Sequence, residues 1–552
     1  MLRDRVREVT TKARIYTRMA ERTGLVSAFR AAGAIAGVKT LARGGKGPSA
    51  LFRIHAANSP DRDAFIFGDK HYTFAQIDER VDRMASAFRA RGLRAGDSVV
   101  LMLKNRPECL EIGAAMARIS GAAVSVSWRS TPTELTYFVN HSGARAIFFE
   151  SELWPAIEAA HSQFAKIDRT RLHPIGGEIE GLTSMETMLE RAPGERLEGS
   201  EATVIIYTSG TTGKPKGAVR KISSGQIVGF AAFIGETPMR VDDKHLVVCP
   251  LYHSTGLGFL GMSLMLGCTV VIERDFDPER FLATIERERI TTTAIVPTML
   301  HRLMSLPEEV LERYDTRSLR MMICGGAQLP APLAERALDR FGPLLFNFYG
   351  STETGLVTIA NPYELRVAPG TIGHAVPGNE IRLLDDNGRE VRDGEVGELF
   401  VRNQMLVEGY HADADSTRDS MRDGFFSVGD LAMRDRHGLF HIVGRRRDMV
   451  ISGGVNVYPA EIEGVIEKHP GVAQVAVVGV PDSEWGERLR AFIVRRDAHD
   501  VSANDIRAFC RETLSGAKVP REYVFLEALP SNATGKVLKR ELKEWGGDVE
   551  KV

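Results

Sequence analysis

The sequence predicts an α/β fold divided into more than one domain, and three observations lead there. Short, continuously apolar runs recur from residue 60 onward, most of them separated by stretches of helical periodicity. Strands that are apolar on both faces and alternate with helices form largely parallel sheets covered on both sides. Between Thr371 and Val443 the texture shifts to short alternating runs broken by Asp386-Asn387-Gly388, Asp393-Gly394 and Arg436-His437-Gly438, which read as hairpins of a β-rich subdomain. At 552 residues, the chain also exceeds what a single hydrophobic core sustains.

The elements follow in order. Ala64–Phe67 is a short strand, and Thr73 with Gln76 makes a capping box that opens a helix. Its apolar face is Phe74, Ile77, Val81, Met84 and Phe88, at helical spacing, until Gly92 stops it. Further strands are expected at Ser98–Leu103, Ala122–Ser127, Ala146–Phe149, Val204–Ile206, Leu246–Cys249, Thr269–Ile272, Thr293–Val296, Met321–Cys324 and Leu345–Phe348. After Arg447-Asp448 comes a compact α/β piece, with helices at Pro459–Lys468 and Asn504–Leu514 and strands at Ala473–Val480 and Arg490–Arg495. Binding residues belong on loops at the strand ends of such sheets.

Charged residues at 26% and hydrophobic ones at 43% are ordinary for a globular protein. The net charge of −1 hides an asymmetry: residues 1–50 hold eleven Lys or Arg against three acidic residues, a net of +8, which leaves −9 for the rest. That basic excess is local and comes with no finger or RNA-binding motif, so nucleic acid is not indicated. Cys109, Cys249, Cys268, Cys324 and Cys510 are widely spaced, odd in number and never paired as CxxC, and they read as thiols in a reducing, cytoplasmic compartment. No apolar run reaches the roughly eighteen residues of a spanning helix. The best, Leu25 to Val38, is interrupted by Arg30. It reads as an interfacial amphipathic helix, giving peripheral membrane contact through residues 1–46, or as a packed helix or solvated arm. A cleaved transit peptide is a third reading, weakened by Asp4, Glu8 and Glu21.

The chemistry-bearing run is Tyr207-Thr208-Ser209-Gly210-Thr211-Thr212-Gly213-Lys214-Pro215-Lys216-Gly217. Three glycines let the backbone approach a polyanion, four hydroxyls offer donors, and two lysines supply charge. A Walker A loop would need glycine at Thr208 and a hydroxyl residue at Pro215, so this is a different phosphate cradle.

With Pro250 to Gly256, Gly325-Gly326-Ala327, Tyr349 to Thr354, Ser427 to Asp430, Gly444 to Asp448 and Pro530 to Lys536 in the same order, the chain from about residue 50 to its end resembles the adenylate-forming superfamily of acyl-CoA synthetases, luciferases and peptide-synthetase adenylation domains. The resemblance implies a large N-terminal domain of two α/β subdomains plus a β-rich subdomain, and a small mobile α+β C-terminal domain. Expected boundaries are a basic N-terminal arm at 1–50, an adenylating domain at 51–446 with its β-rich part at about 371–443, and a lid domain at 447–552. It further implies an acid–thiol ligase that uses ATP, Mg²⁺ and CoA.

The implied roles fall residue by residue. Thr208, Ser209, Gly210, Thr211, Thr212, Gly213, Lys214 and Lys216 hold the β- and γ-phosphates. Glu353 ligates Mg²⁺, Thr352 contacts the α-phosphate, and Tyr349 stacks on adenine beside Gly325, Gly326 and Ala327. Asp430 accepts both ribose hydroxyls, helped by Arg445. Lys536 bridges acyl carboxylate and α-phosphate in the first step, Arg447 occupies the hinge position, and Gly454 lines the pantetheine tunnel. His253 guards the acyl site. Val455, where relatives often have Glu, and Ser531, where many have a basic residue, depart from the pattern.

Gly350 stands where acetate-activating relatives carry a bulky Trp, which implies a deeper channel, and the stretch after His253 is apolar without an ionic group. A medium- or long-chain fatty acid is the first expectation and an aryl or cinnamate-like acid the second. The rivals are a free-standing acyl-AMP ligase that serves a carrier protein, a luciferase-like oxygenase, and a nucleotide- or lipid-binding transport factor without catalysis. Only sixteen residues follow Lys536 and no Asp-Ser-Leu attachment site occurs, which argues against a built-in carrier.

Overall fold

The computed structural model describes residues 2–45, 47–199, 203–208, 216–221, 224–411, 413–452, 455–482, 485–496, 501–531 and 537–552. Among these the strands form four sheets. The largest runs in the order His374–Ala375, Gly355–Ala360, Leu345–Ser351, Met321–Cys324, Thr292–Ile295, Lys244–Val247, Thr269–Ile272, Asp63–Phe67 and Lys70–Thr73. Its six central strands are parallel, and antiparallel pairings are confined to the two margins. A second sheet runs Gly409–Tyr410, Lys216–Lys221, Thr203–Thr208, Ala122–Val126, Ser98–Met102, Ala146–Glu150 and Leu172–Ile175, parallel from the third strand on.

The apolar runs are strands because both of their faces are buried. Val99, Leu101 and Phe148 of one sheet and Phe65, Val247 and Val270 of the other join a common core, filled by the helices Phe74–Ala90 and Glu108–Arg118. The capping box forms as expected: Thr73 accepts from the Gln76 N–H, and Gln76 accepts from the Thr73 N–H.

The β-rich sheet is antiparallel and holds Glu380–Leu384, Gly397–Arg402, Met421–Arg422, Phe425–Phe426, Asp430–Arg434 and Phe440–Arg445. It is not self-contained: Gly409–Tyr410, from the same stretch of sequence, leaves it to extend the second sheet beside Lys216–Lys221. The C-terminal unit packs the helices Pro459–Ile466 and Ala503–Arg511 on a sheet that includes Val472–Asp482, Gly486–Arg495 and Glu522–Leu526.

The N-terminal arm takes a definite form: four helices, α1 (Leu2–Thr23), α2 (Leu25–Ala28), α3 (Ala31–Ala42) and α4 (Gly47–Asn58). Ile15 and Met19 of α1 enter a core shared with Phe233 and Ile234, and Arg18 and Arg22 both donate to the Gly235 carbonyl. The segment is therefore packed on the body rather than a solvated arm, and α4 runs across the expected boundary at residue 50. No helix among the described residues is long and apolar enough to cross a membrane.

Candidate active site

The site grows from one hairpin. The strand Leu345–Ser351 emerges beside Met321–Cys324 and turns back into Gly355–Ala360, with a register break between Tyr349 and Gly350. Hydroxyls lock the turn: Ser351 Oγ accepts from the N–H groups of Glu353 at 3.1 Å and Thr354 at 3.0 Å. Such a side-chain turn fixes backbone that has no ladder partner. It points the Glu353 carboxylate inward, where it is buried and accepts from Tyr410 Oη at 3.0 Å. Thr352 Oγ1 lies 3.2 Å from Ser254 Oγ, at the start of the helix Ser254–Leu266.

Arg220 braces this turn from behind. Its guanidinium donates to the Thr352 carbonyl and, at 2.8 Å, to the Met405 carbonyl. Burial pulls its pKa down to about 10, against the attraction of Glu353. Neither Arg220 nor Tyr410 was singled out by the motifs. Each reaches Glu353 or its neighbour across a long sequence separation, which leaves no local signal.

On the strand before the turn, Tyr349 Oη donates to Asp430 Oδ2 at 2.7 Å, and Arg445 Nε stands 3.0 Å from Asp430 Oδ1. Asp430 and Arg445 are partners across antiparallel strands, so the strand register brings the pair together. The buried Tyr349 phenol is pushed well above its usual range, first by desolvation and then by the Asp430 charge. Gly325 is buried against the Phe348 ring, while Gly326, at φ +81°, is exposed and Ala327 half-buried.

The cradle residues Ser209, Gly210, Thr211, Thr212, Gly213 and Lys214 lie outside the described residues, as do Gly454 and Lys536. What the fold fixes is the neck of each loop. Thr208 pairs with Lys216 across antiparallel strands, Ser452 with Val455, and Ser531 with Val537. The Lys216 ammonium donates to Ser416 Oγ at 2.6 Å and sits 4.9 Å from the Tyr410 ring centre. One end of the cradle is thus a single side chain away from Glu353. At the boundary of the C-terminal unit, Arg446 pairs with Glu398 at 2.6 Å and Asp386 at 2.8 Å, while Arg447 stays half-exposed beside Asp448.

His253 caps the helix Ser254–Leu266 with its ring 4.4 Å from that of Tyr252. Its Nε2 is buried without a hydrogen-bond partner among the described residues, and burial lowers its pKa to about 4, so the ring is neutral.

Gly350 corrects an expectation. A Cβ there would stand 2.0 Å from the Gly355 carbonyl oxygen, so glycine is demanded by the close approach of the hairpin strands. Its side-chain direction leads into backbone, not into a channel.

The residues present suit Mg²⁺. Among the described residues no group of three or more His, Cys, Asp or Glu could hold a metal ion. One buried carboxylate, Glu353, with Lys216 one side chain away across Tyr410, matches the way this ion is usually held, by one or two carboxylates with phosphates and water completing its shell.

The AMP-binding enzyme family matches residues 52–411, and the AMP-binding enzyme C-terminal domain matches residues 461–536. The chain is 34% identical over 492 residues to a feruloyl-CoA synthase of Amycolatopsis sp, covering 88% of this chain and 96% of the relative. It is 33% identical over 498 residues to an indoleacetate–CoA ligase of Aromatoleum aromaticum, covering 89% and 96%. Among solved structures, ATP-bound MatB from Rhodopseudomonas palustris aligns with a TM-score of 0.81 at 29% identity, covering 90% of this chain and 98% of that one.

Proposed function

The chain belongs to the AMP-binding enzyme family of adenylate-forming acid–thiol ligases, and we propose that it activates a medium- or long-chain fatty acid with ATP and transfers the acyl group to CoA. The observation that carries the reading is that one hairpin bears both Tyr349, bonded to Asp430, and Glu353, bonded to Tyr410. A nucleoside and its phosphates would be read by neighbouring residues of a single turn.

In the first step a carboxylate oxygen of the acid attacks the α-phosphorus, the bond to the bridging oxygen breaks, and pyrophosphate leaves. In the second, the CoA thiolate attacks the acyl carbon and AMP departs. Bringing an anion to a polyanion requires fixed donors and positive charge. Bound Mg²⁺ supplies charge neutralisation at the phosphates. Glu353 would hold it, the Thr352 hydroxyl would meet the α-phosphate, and Asp430, with Arg445, would hold the ribose. Thr208 and Lys216 would anchor the cradle ends, and Lys214 would supply charge within it. Lys536 would neutralise charge between carboxylate and phosphate in the first step alone. Neutral His253 would wall the acyl site without attracting a second anion.

The fatty-acid assignment rests on the helix Ser254–Leu266, which contains no ionisable residue. A Cβ at Gly258 would meet nothing within 4 Å, and Gly261 faces the Phe230 ring. An apolar wall of this kind gains about 0.8 kcal/mol per buried methylene. The feruloyl and indoleacetate relatives favour a second reading, an aryl acid.

A pyrophosphate-release screen over acids of graded length and aromaticity separates them. The expected outcome is kcat/KM rising with alkyl length and exceeding that of cinnamate-like acids; a maximum at an aryl acid overturns the assignment. Product analysis with CoA against a holo carrier protein tests the acceptor.

A further inference from the structure

Helix α3 is folded inside out. Its body-facing side carries Gly33, Gly37 and Thr40, and the bulk points to solvent: Ile35 is 55% exposed, Val38 71% and Leu41 62%. On the preceding turn Val26 is 76% and Phe29 36% exposed. The small residues serve close packing on α4, since a Cβ at Gly33 would stand 2.5 Å from Asn58 Oδ1 and one at Gly37 would touch Ile54. A helix apolar on every side is ordinarily buried on every side. A contiguous exposed apolar patch with a polar rim marks a surface that something covers.

The rim identifies what covers it. Arg22, Arg30, Lys39 and Arg43 are exposed on the same segment as these apolar residues, and the chain contains no acidic residue between Glu21 and Asp61. Of these, Arg43 is paired with Glu198 at 3.4 Å. A second copy of the chain is a poor occupant, because a twofold contact would set this basic rim against itself. A plane that is apolar within and anionic at its surface fits both parts.

We propose that the outer face of α2 and α3 docks on an anionic lipid bilayer, with Val26, Phe29, Ile35, Val38 and Leu41 entering the interface while Arg30, Lys39 and Arg43 meet the headgroups. The helices lie in the interface and do not span it; α3 is only twelve residues long. The face is held rigidly to the body. Asn58 Oδ1 accepts from the Arg30 N–H at 2.7 Å, its amide donates to the Ala28 carbonyl at 3.3 Å, and the Thr23 carbonyl accepts from the Val241 N–H at 3.1 Å. Docking would therefore orient the whole enzyme on the membrane. This surface shares no residue with the active site and does not depend on which acid is used.

The test is cosedimentation of the full chain, without substrates, with phosphatidylcholine vesicles that contain or lack phosphatidylglycerol. Binding is expected only with phosphatidylglycerol present and should weaken with added salt. The pair Val38→Glu and Leu41→Glu should lower partitioning by about tenfold or more, while circular dichroism and ATP–pyrophosphate exchange with a water-soluble acid stay unchanged. Should that variant misfold, Val26→Ser with Phe29→Ser replaces it, with the same reduction expected. Absence of binding by the full chain, binding equal for charged and neutral vesicles, or binding unaffected by these substitutions overturns the proposal. So does a dimer in sedimentation velocity that the substitutions abolish without vesicle binding, which would assign the face to a second copy.

Discussion

Replacing Arg220 by Met retains the apolar stem and removes the guanidinium fork, and its effect follows from two opposed terms. The substitution strips donors from the buried carbonyls of Thr352 and Met405, at about 1–3 kcal/mol each. It also relieves a cation whose pKa burial lowers to about 10, which corresponds to roughly 3 kcal/mol held against the charged form. The terms largely cancel, so the urea midpoint should fall modestly, by about 0–3 kcal/mol in unfolding free energy. Catalysis has no such compensation. The turn that carries Thr352 and Glu353 loses its brace, and a displacement of about 1 Å at a reacting centre costs on the order of a hundredfold in rate. The assay is ATP–pyrophosphate exchange across a Mg²⁺ titration, beside urea unfolding of the same sample. Arg220→Met should show a large loss of exchange and a raised Mg²⁺ requirement at near-normal stability. Arg220→Lys, which keeps charge without the fork, should lie between. An exchange rate and Mg²⁺ requirement that are unchanged, or that fall only in step with stability, would refute the reasoning.

Lys536→Ala should cripple adenylate formation and spare the conversion of supplied acyl-adenylate with CoA; equal loss in both half-reactions, followed by product chromatography, would reject that division of labour. Gly350→Trp should destabilise the hairpin by about 1–3 kcal/mol and depress activity on all acids together; a shift toward acetate at undiminished stability would restore the channel reading. Burial holds His55, His173 and His253 near 4, below their unfolded value of 6.5. Their contribution to stability is complete above the unfolded pKa and is lost as pH falls through the folded one. Unfolding free energy should thus decline from about pH 6.5 toward about pH 4, by up to roughly 3 kcal/mol per histidine, measured as urea midpoints along a pH series.

The sequence disclosed what local pattern governs. Apolar runs such as Val99 to Met102 are strands because both faces are buried, and Thr73 with Gln76 caps its helix where the residue types demand it. No strand was expected at Lys216–Lys221, because Lys216 and Gly217 close the glycine-rich run and mask a strand that pairing with Thr203–Thr208 creates. Of the candidate site, Glu353, Tyr349, Asp430 and Arg445 stand in motifs, and the fold brings them to one hairpin and the strands beside it. Their partners stand in no motif: Tyr410 lies 57 residues from Glu353 and Arg220 lies 132 from Thr352, and no periodicity encodes such contacts. The direction of a missing side chain at Gly350 is a property of the paired backbone and cannot be read from composition.

The short strand Gly409–Tyr410 has a consequence for recombination. It leaves the β-rich stretch to pair with Lys216–Lys221, and its tyrosine reaches Glu353. A chimera that exchanged residues 371–443 for a homologous segment would therefore replace an edge strand of the cradle sheet and the hydroxyl that steadies Glu353, although neither belongs to the β-rich sheet. The unit that can be transplanted without disturbing these contacts ends before Asn403, whose amide donates to the Thr354 carbonyl at 2.9 Å, resumes only after Thr417, whose hydroxyl accepts from the Tyr410 N–H, and must keep Asp430 for its bond to Tyr349. Between those two residues the inheritance of the small sheet and that of the catalytic turn are joined.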